Sequence, residues 1–420
     1  MRVTLLTLVA FAWAVSTMAQ GPLPTEEVFR QFSDRVVKIE IQEIGSAAKA
    51  SIGSGFMVSD RGHLVTNYHV VAKVVNQPER YDARYIGADD EEVPVVVLAV
   101  DVAHDLAVVK ADRATPSYFA LAPVDTPQGL RIYSLGHPLD LGLNIVEGTY
   151  NGFLKHAFDK RINFTGSLNP GMSGGPAITA DGLVAGINVA SSGEQVSFLV
   201  PVQWAIELYQ ATQSGSFERP ESFLDIVRDQ IVARQEELVA TLIARPAESV
   251  DLGGVSVPTE PATYFNCWAD AYREDDVPYE TVDHSCSTDD YIFLSDELVS
   301  GQLWFYHRSL ESDELNRFQF ASLFTSEFHQ TYHGLGGGEN EVTEFRCHAD
   351  TVARSELRLK TIFCLRGYRK LEGLYDVVLK AATIGRPVSG LETVLVASGV
   401  TFENARALSE WYLEQISWAE

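Results

Sequence analysis

Residues 29–203 break into short runs of β-branched or alternating residues, and this punctuation constrains the fold more than any other feature of the chain. The runs are 35–44 (RVVKIEIQEI), 55–58, 93–100, 106–110, 131–135, 183–189 and 196–200, with clusters of Gly, Asp, Asn and Pro between them. Alternation sends successive side chains to opposite faces of a strand, so each run can bury one face. Many short strands with turn residues between them predict an all-β sandwich or barrel.

The pattern then changes. Residues 201–212 (PVQWAIELYQAT) read as a helix with a proline in its first turn, and 213–220 form a Ser/Gly linker. Residues 221–245 predict a long helix. Ser222 and Asp225 have the spacing of a capping box. Phe223, Val227, Ile231, Leu238 and Leu242 draw an apolar stripe suited to packing, and Pro246 closes the helix. Residues 250–420 form a second, α+β unit. Within it, 291–310 and 356–368 alternate like hairpins. Residues 400–418 make an amphipathic helix with Phe402, Ala405, Leu408, Trp411 and Ile416 on one side. The expected organisation is an N-terminal address over 1–19, an all-β domain over 20–213, a linker and helix over 214–249, and an α+β domain over 250–420.

The address is a secretory signal peptide by its grammar. Arg2 supplies a positive start, residues 5–15 are apolar except for Thr7, and Thr17-Met18-Ala19 offers a small-x-small cleavage site after Ala19. The apolar stretch is short for a membrane span, so the mature chain is expected to be secreted or periplasmic, with no integral span. With 32 basic and 57 acidic residues the net charge is −25, which disfavours docking on nucleic acid or anionic lipid. The four cysteines, Cys267, Cys286, Cys347 and Cys364, all lie in the second half. Export favours disulfides. Of the three pairings possible, the local pairs Cys267–Cys286 and Cys347–Cys364 are preferred. No C-x-x-C occurs, and His284 and His348 sit too close to cysteines in sequence for good zinc geometry.

Three segments carry the chemistry. They are 53–71 (GSGFMVSDRGHLVTNYHVV) with His69, 101–110 (DVAHDLAVVK) with Asp105, and 166–177 (GSLNPGMSGGPA) with Ser173. Each alone has an ordinary explanation as a strand end or turn. Together, in the order His, Asp, Ser within an all-β pattern, they match a nucleophile with its base and orienting acid. The G-x-S-x-G reading as an esterase elbow fails, because such a Ser must precede its acid and His and sit between a strand and a helix.

These blocks resemble the trypsin-like serine proteases, in particular the HtrA/Deg branch with its GSGF, TNxHV, DLAV and NPGxSGGP motifs. Here they are Gly53–Phe56, Thr66–Val70, Asp105–Val108 and Asn169–Pro176, and the resemblance covers roughly residues 30–212. It implies a chymotrypsin-like double β-barrel followed by the helix and the α+β domain. It also implies an acyl-enzyme mechanism on polypeptide substrates. Ser173 is the nucleophile, His69 its base, and Asp105 the acceptor that fixes the imidazole. The backbone N–H groups of Gly171 and Ser173 form the oxyanion hole. No cofactor or metal is implied.

Around the nucleophile, Ser167 and Leu168 floor a pocket whose other wall is Asn188, Val189 and Ala190. With no acidic group there, a small or medium uncharged residue is expected before the scissile bond. Met172 stands where relatives often have Asn and is expected toward the leaving-group side of the cleft. His104 precedes Asp105 and, by strand alternation, is expected on the surface. Relatives often carry PDZ domains, but 334–337 (GLGG) reads as a glycine turn without a recognisable PDZ strand order. The second half is expected to serve as an interaction module for partner proteins or oligomer contacts. The alternative function is a silent or latent relative that binds peptides through the same cleft.

Overall fold

Helix α1 (Thr25–Phe32) leads into the fold of the protein, seen here in a computed structural model that describes residues 23–46, 48–191, 196–274, 276–330, 334–354 and 356–419. The signal-peptide segment and its cleavage site lie outside the described residues. Six antiparallel strands close the first barrel: β1 (Val36–Glu43), β2 (Lys49–Met57), β3 (His63–Thr66), β4 (Tyr81–Ile86), β5 (Glu92–Asp101) and β6 (Leu106–Ala111). Their order is β1-β2-β3-β6-β5-β4, and helix α2 (Tyr68–Asn76) lies between β3 and β4 in the chain. Six more close the second: β7 (Arg131–Gly136), β8 (Asn144–Phe153), β9 (Ile162–Phe164), β10 (Pro176–Ile178), β11 (Val184–Ser191) and β12 (Ser197–Pro201).

Closure removes the unpaired strand edges that a short-stranded sheet would otherwise expose. The barrels share one apolar cluster. Phe56, Val65, Leu106 and Val108 of the first barrel meet Tyr133, Leu135, Ile187 and Val200 of the second. Helix α3 (Val202–Thr212) seals that cluster with Val202, Ala205 and Ile206. The barrels are thereby held face to face.

Helix α4 (Leu224–Ile243) is a strut rather than part of a linker. Its N-terminal half, with Phe223, Val227 and Ile231, packs into the core of the first barrel. Its C-terminal half, with Leu238, Val239 and Leu242, packs into the core of the second unit. Each such side chain contributes about 1.5–3 kcal/mol on burial, so the strut is anchored at both ends. The capping box does not form. Phe223 is the N-cap residue, Ser222 Oγ accepts only from the Leu224 N–H at 3.3 Å, and Asp225 pairs with Arg228.

The second unit is built on β13 (Glu248–Leu252), β14 (Val255–Thr259), β15 (Phe265–Tyr272), β16 (Glu280–Thr288), β17 (Ile292–Phe293), β18 (Val299–Ser300) and β19 (Leu303–Glu311). After α5 (Arg317–Gln330) come β20 (Arg346–Arg354), β21 (Leu357–Gly367), β22 (Tyr375–Thr383) and β23 (Ser389–Val400), then α6 (Phe402–Glu414) and β24 (Ser417–Trp418). Seven strands form one antiparallel sheet in the order β15-β16-β19-β23-β22-β21-β20. Helices α4 and α6 cover one face. Disulfides join Cys267 to Cys286 and Cys347 to Cys364, each pair directly opposite in register on neighbouring strands.

Two expected hairpins take another form. Residues 356–368 run as the single strand β21, because no turn residue interrupts LRLKTIFCLR before Gly367. Within 291–310, only the two-residue strands β17 and β18 pair with each other. Strand β19 pairs instead with β16 and with the distant β23. In α6, Ala405, Leu408 and Trp411 are buried, and so is Ile416 just beyond it. Phe402, at the first turn, is 49% exposed.

Candidate active site

The site forms where the end of β3, the β5–β6 turn and the loop before β10 meet. Asn67 ends β3 in an extended conformation and starts α2, placing His69 in the first helical turn. The buried Asn67 side chain does not cap its helix. It donates to the Asp105 carbonyl at 2.7 Å and ties the β5–β6 turn to the helix start. Asp105 adopts φ +57°, a left-handed conformation that Asp tolerates better than most residues. Its carboxylate then receives two hydrogen bonds from one residue: the His69 backbone N–H at 2.8 Å and His69 Nδ1 at 2.6 Å. This fixes the ring tautomer and leaves Nε2 toward the cleft. Burial pulls the His69 pKa down, but the charge and hydrogen bond of Asp105 pull it up and outweigh burial, so the net shift is upward.

The loop that carries Gly171 and Ser173 is held from several sides. Gly171 has φ +97°, and a Cβ there would lie 2.4 Å from the His137 carbonyl. The Pro170 carbonyl accepts from Leu139 N–H at 2.8 Å, and the Gly171 carbonyl accepts from Ser54 Oγ at 2.7 Å. The trans peptide plane then turns the Gly171 N–H away from Leu139. Ser54 Oγ also accepts from His137 N–H at 2.9 Å, and Ser54 N–H donates to the Ser173 carbonyl at 2.7 Å. Leu139 and Asp140 both have positive φ, and Asp140 is clamped by Lys38 and Lys49 at 2.6 and 2.8 Å. Hydrogen bonds from those two lysines hold the Asp140 carboxyl down to about 2, while burial pushes neighbouring His137 down to about 4.

Ser173 itself does not donate to His69. Its hydroxyl donates to the Val189 carbonyl at 2.9 Å. That carbonyl is available because the β11–β12 register shifts between Asn188 and Ala190.

Several expected site residues lie elsewhere. The Asn188 side chain is fully buried and braces the interior. It accepts from Ser134 and donates to the carbonyls of Leu135 and Met172 at 3.0 and 3.2 Å. Ser167 is exposed and Leu168 is buried, its N–H on Ser197 Oγ at 3.2 Å. The Ala190 side chain lies outside the described residues. Met172 is fully buried in the second barrel with Phe164 and Leu168, not on the leaving-group side of the cleft. His104 is not a surface residue. It stacks on Trp204 with centroids 3.9 Å apart and pairs with Asp101 at 2.7 Å, because the chain turns here and strand alternation does not apply.

Residues 53–187 match the family described as trypsin-like peptidase domain. The double barrel is a trypsin-like peptidase domain of the HtrA/Deg kind. Among its relatives, the putative serine protease HhoB of Synechocystis is 28% identical over 48% of this chain and 49% of that protein. The chloroplastic Protease Do-like 1 of Arabidopsis thaliana is 30% identical over 43% of this chain and 44% of its own. A probable periplasmic serine endoprotease, DegP-like, of Halomonas elongata is 29% identical over 41% and 38%. The chain thus spans about half the length or less of these curated relatives.

Sequence motifs did not assign roles to Ser54 or Asn67, although they sit inside the GSGF and TNxHV blocks, and Asn188 was expected in the pocket wall rather than in the interior it braces. Ser54→Ala removes the donor to the Gly171 carbonyl and leaves His137 N–H without its acceptor. At about 1–3 kcal/mol for such a loss, kcat of the peptidase should fall about tenfold to a hundredfold while KM changes little. Steady-state kinetics on a peptide substrate checks this, and an unchanged kcat would show that the loop holds itself without Ser54.

Proposed function

We propose that this protein is an exported serine endopeptidase that cleaves polypeptides through an acyl-enzyme. The observation that carries the reading is the doubly bonded His69–Asp105 pair, set across the cleft from the Gly171–Ser173 turn in a trypsin-like double barrel. Substrate main chain pairs with the Val189 carbonyl, which otherwise accepts from Ser173, and so releases the Ser173 hydroxyl toward His69 Nε2. His69 takes the proton as Ser173 attacks the carbonyl, and Asp105 stabilises the imidazolium. The Gly171 and Ser173 N–H groups receive the oxyanion. His69 then gives its proton to the leaving amine, and water repeats the cycle on the ester. Catalytic hydrogen bonds are often long or unmade without substrate. Val189, whose carbonyl the Ser173 hydroxyl reaches, flanks the acyl side and is uncharged, in keeping with a small or medium uncharged residue there. Export is supported by the sequence of residues 1–19, by the two disulfides, and by relatives named as periplasmic.

A second reading is favoured by one observation. The Ser173 hydroxyl occupied by Val189 is what a latent peptidase would display. Labelling with a fluorophosphonate, beside Ser173→Ala as the blank, separates the two. Labelling at Ser173 together with casein cleavage supports the endopeptidase. A folded chain that neither labels nor cleaves casein would show that the site is latent.

A further inference from the structure

The second unit reaches the catalytic histidine. Phe293, in the short ribbon of β17 and β18, lies edge-on to the His69 ring with centroids 5.8 Å apart. The turn after it, residues 294–298, forms one wall of a cavity of about 290 Å³. The opposite wall is Ser51 of β2 and the face of α2 carrying Ala72 and Lys73. His69 lines this cavity, whereas Gly171, Ser173, Leu168 and Val189 do not.

We propose that residues 293–298 build the subsite for substrate residues that follow the scissile bond, and that it selects a bulky apolar side chain. The inference rests on the endopeptidase reading above. The chemistry assigns the side of the cleft. The acyl half of the substrate stays on Ser173, while the leaving amine takes its proton from His69. The cavity extends from His69 to Ser51 of β2 and the α2 face and touches none of Gly171, Ser173 and Val189, so it is assigned to the leaving half. Ala72, Phe293, Leu294, Leu298 and Leu371 give it an apolar surface, and this apolar part assigns the class of side chain. Charged groups of both signs edge it, on Lys73, Asp296, Glu297, Glu341 and Lys370.

The wall is fixed rather than loose. Asn76 Nδ2 donates to the Leu294 carbonyl at 2.8 Å, and Lys73 pairs with Asp296, so the turn is tied twice to the helix that carries His69. Ser295 Oγ accepts from the Glu297 and Leu298 N–H groups at 3.2 and 3.1 Å, which holds the turn on itself. Leu294 and Leu298 also belong to the core cluster of the first barrel. A subsite built this way is preorganised, and binding loses little to ordering.

The test uses the full mature chain and a peptide cleaved by the wild type, found by mass spectrometry of a casein digest. Four versions carry Phe, Leu, Gly or Asp after the scissile bond. The wild type should prefer Phe and Leu over Gly by about tenfold or more in kcat/KM, the range for apolar pocket contacts. Phe293→Ala should collapse that ratio, and Phe293→Leu, which keeps the turn packed, should lose part of it. Fluorescence anisotropy of the same peptides on the Ser173→Ala protein should show the same order in Kd. This second arm reads the subsite without turnover. A chain that fails to label at Ser173 therefore sinks the endopeptidase reading separately. A wild type with no preference, or a preference untouched by Phe293→Ala in both arms, overturns the subsite. So does faster fluorophosphonate labelling of Phe293→Ala with selectivity intact, which would make the ribbon a cover over His69.

Discussion

His69→Ala should lower kcat about a million-fold, and Asp105→Asn about ten-thousand-fold, with both proteins folded. In the proposed mechanism the difference follows from what each group does. Without the imidazole nothing accepts the Ser173 proton. Without the carboxylate the imidazole remains, but in the wrong tautomer. Asn suits position 105 because it tolerates φ +57° as Asp does, and it can still accept from the His69 N–H. The pH profile supplies an independent readout. Activity needs neutral His69, so the acid limb of kcat/KM follows its pKa. In the native site, burial lowers that pKa, and the charge and hydrogen bond of Asp105 more than offset it. Asp105→Asn removes the two raising effects and leaves burial, so the acid limb should move to lower pH. Steady-state rates from pH 4 to 9 test both parts. A limb that stays in place, or moves up, would mean that Asp105 does not govern His69.

What could be read from the sequence was local. The proposed triad is legible because each member sits in a short contiguous block whose neighbours do structural work. Thr66 Oγ1 donates to the Ser54 carbonyl at 2.7 Å, and Gly174 fits so closely that a Cβ would lie 2.2 Å from that carbonyl. The barrels are legible because closed short-stranded sheets need turns at every strand end. Errors arose where partners are distant or alternation stops. His104 was assigned by strand parity, yet residues 102–105 form a turn. Asn188 stands at the pocket edge in sequence, but its side chain turns inward to satisfy three buried groups. Residues 303–311 have the alternation of a hairpin arm, but nothing in that segment specifies pairing with Ser389–Val400. Phe293 beside His69 is a meeting of two units, and neither segment alone carries a signal for it.

How the two units are joined leads to the second large effect. Arg234 of α4 is buried, 4% exposed at its side chain, and its Nε donates to Asp159 Oδ2 at 2.7 Å. Asp159 belongs to the β8–β9 loop of the second barrel. The same guanidinium lies over the Phe158 ring at 5.3 Å and donates to the Gly301 carbonyl at 3.2 Å. Asp290 of the second unit accepts from Phe158 N–H at 2.7 Å. Burial first, then neighbouring Asp159, push Asp290 above the usual carboxylate range, while Arg161 and Arg234 offset part of this. Arg234→Met keeps the volume but leaves two carboxylates facing each other with one cation fewer. Breaking a buried pair this way costs about 3–5 kcal/mol, so the urea midpoint at pH 7.5 should fall clearly. The sign of the pH dependence is fixed by linkage. An acid whose folded pKa lies above its unfolded value holds a proton in the folded state that the unfolded state has released, so stability rises as pH falls through the folded value. Removing Arg234 raises Asp290 further, so the deficit of the variant should shrink as the pH falls from 7.5 into the range where Asp290 takes up its proton. A deficit that does not change with pH would mean that Asp290 does not feel Arg234, and a deficit below about 1 kcal/mol would mean that water reaches this junction and that Arg234 does not hold the peptidase domain to the second unit.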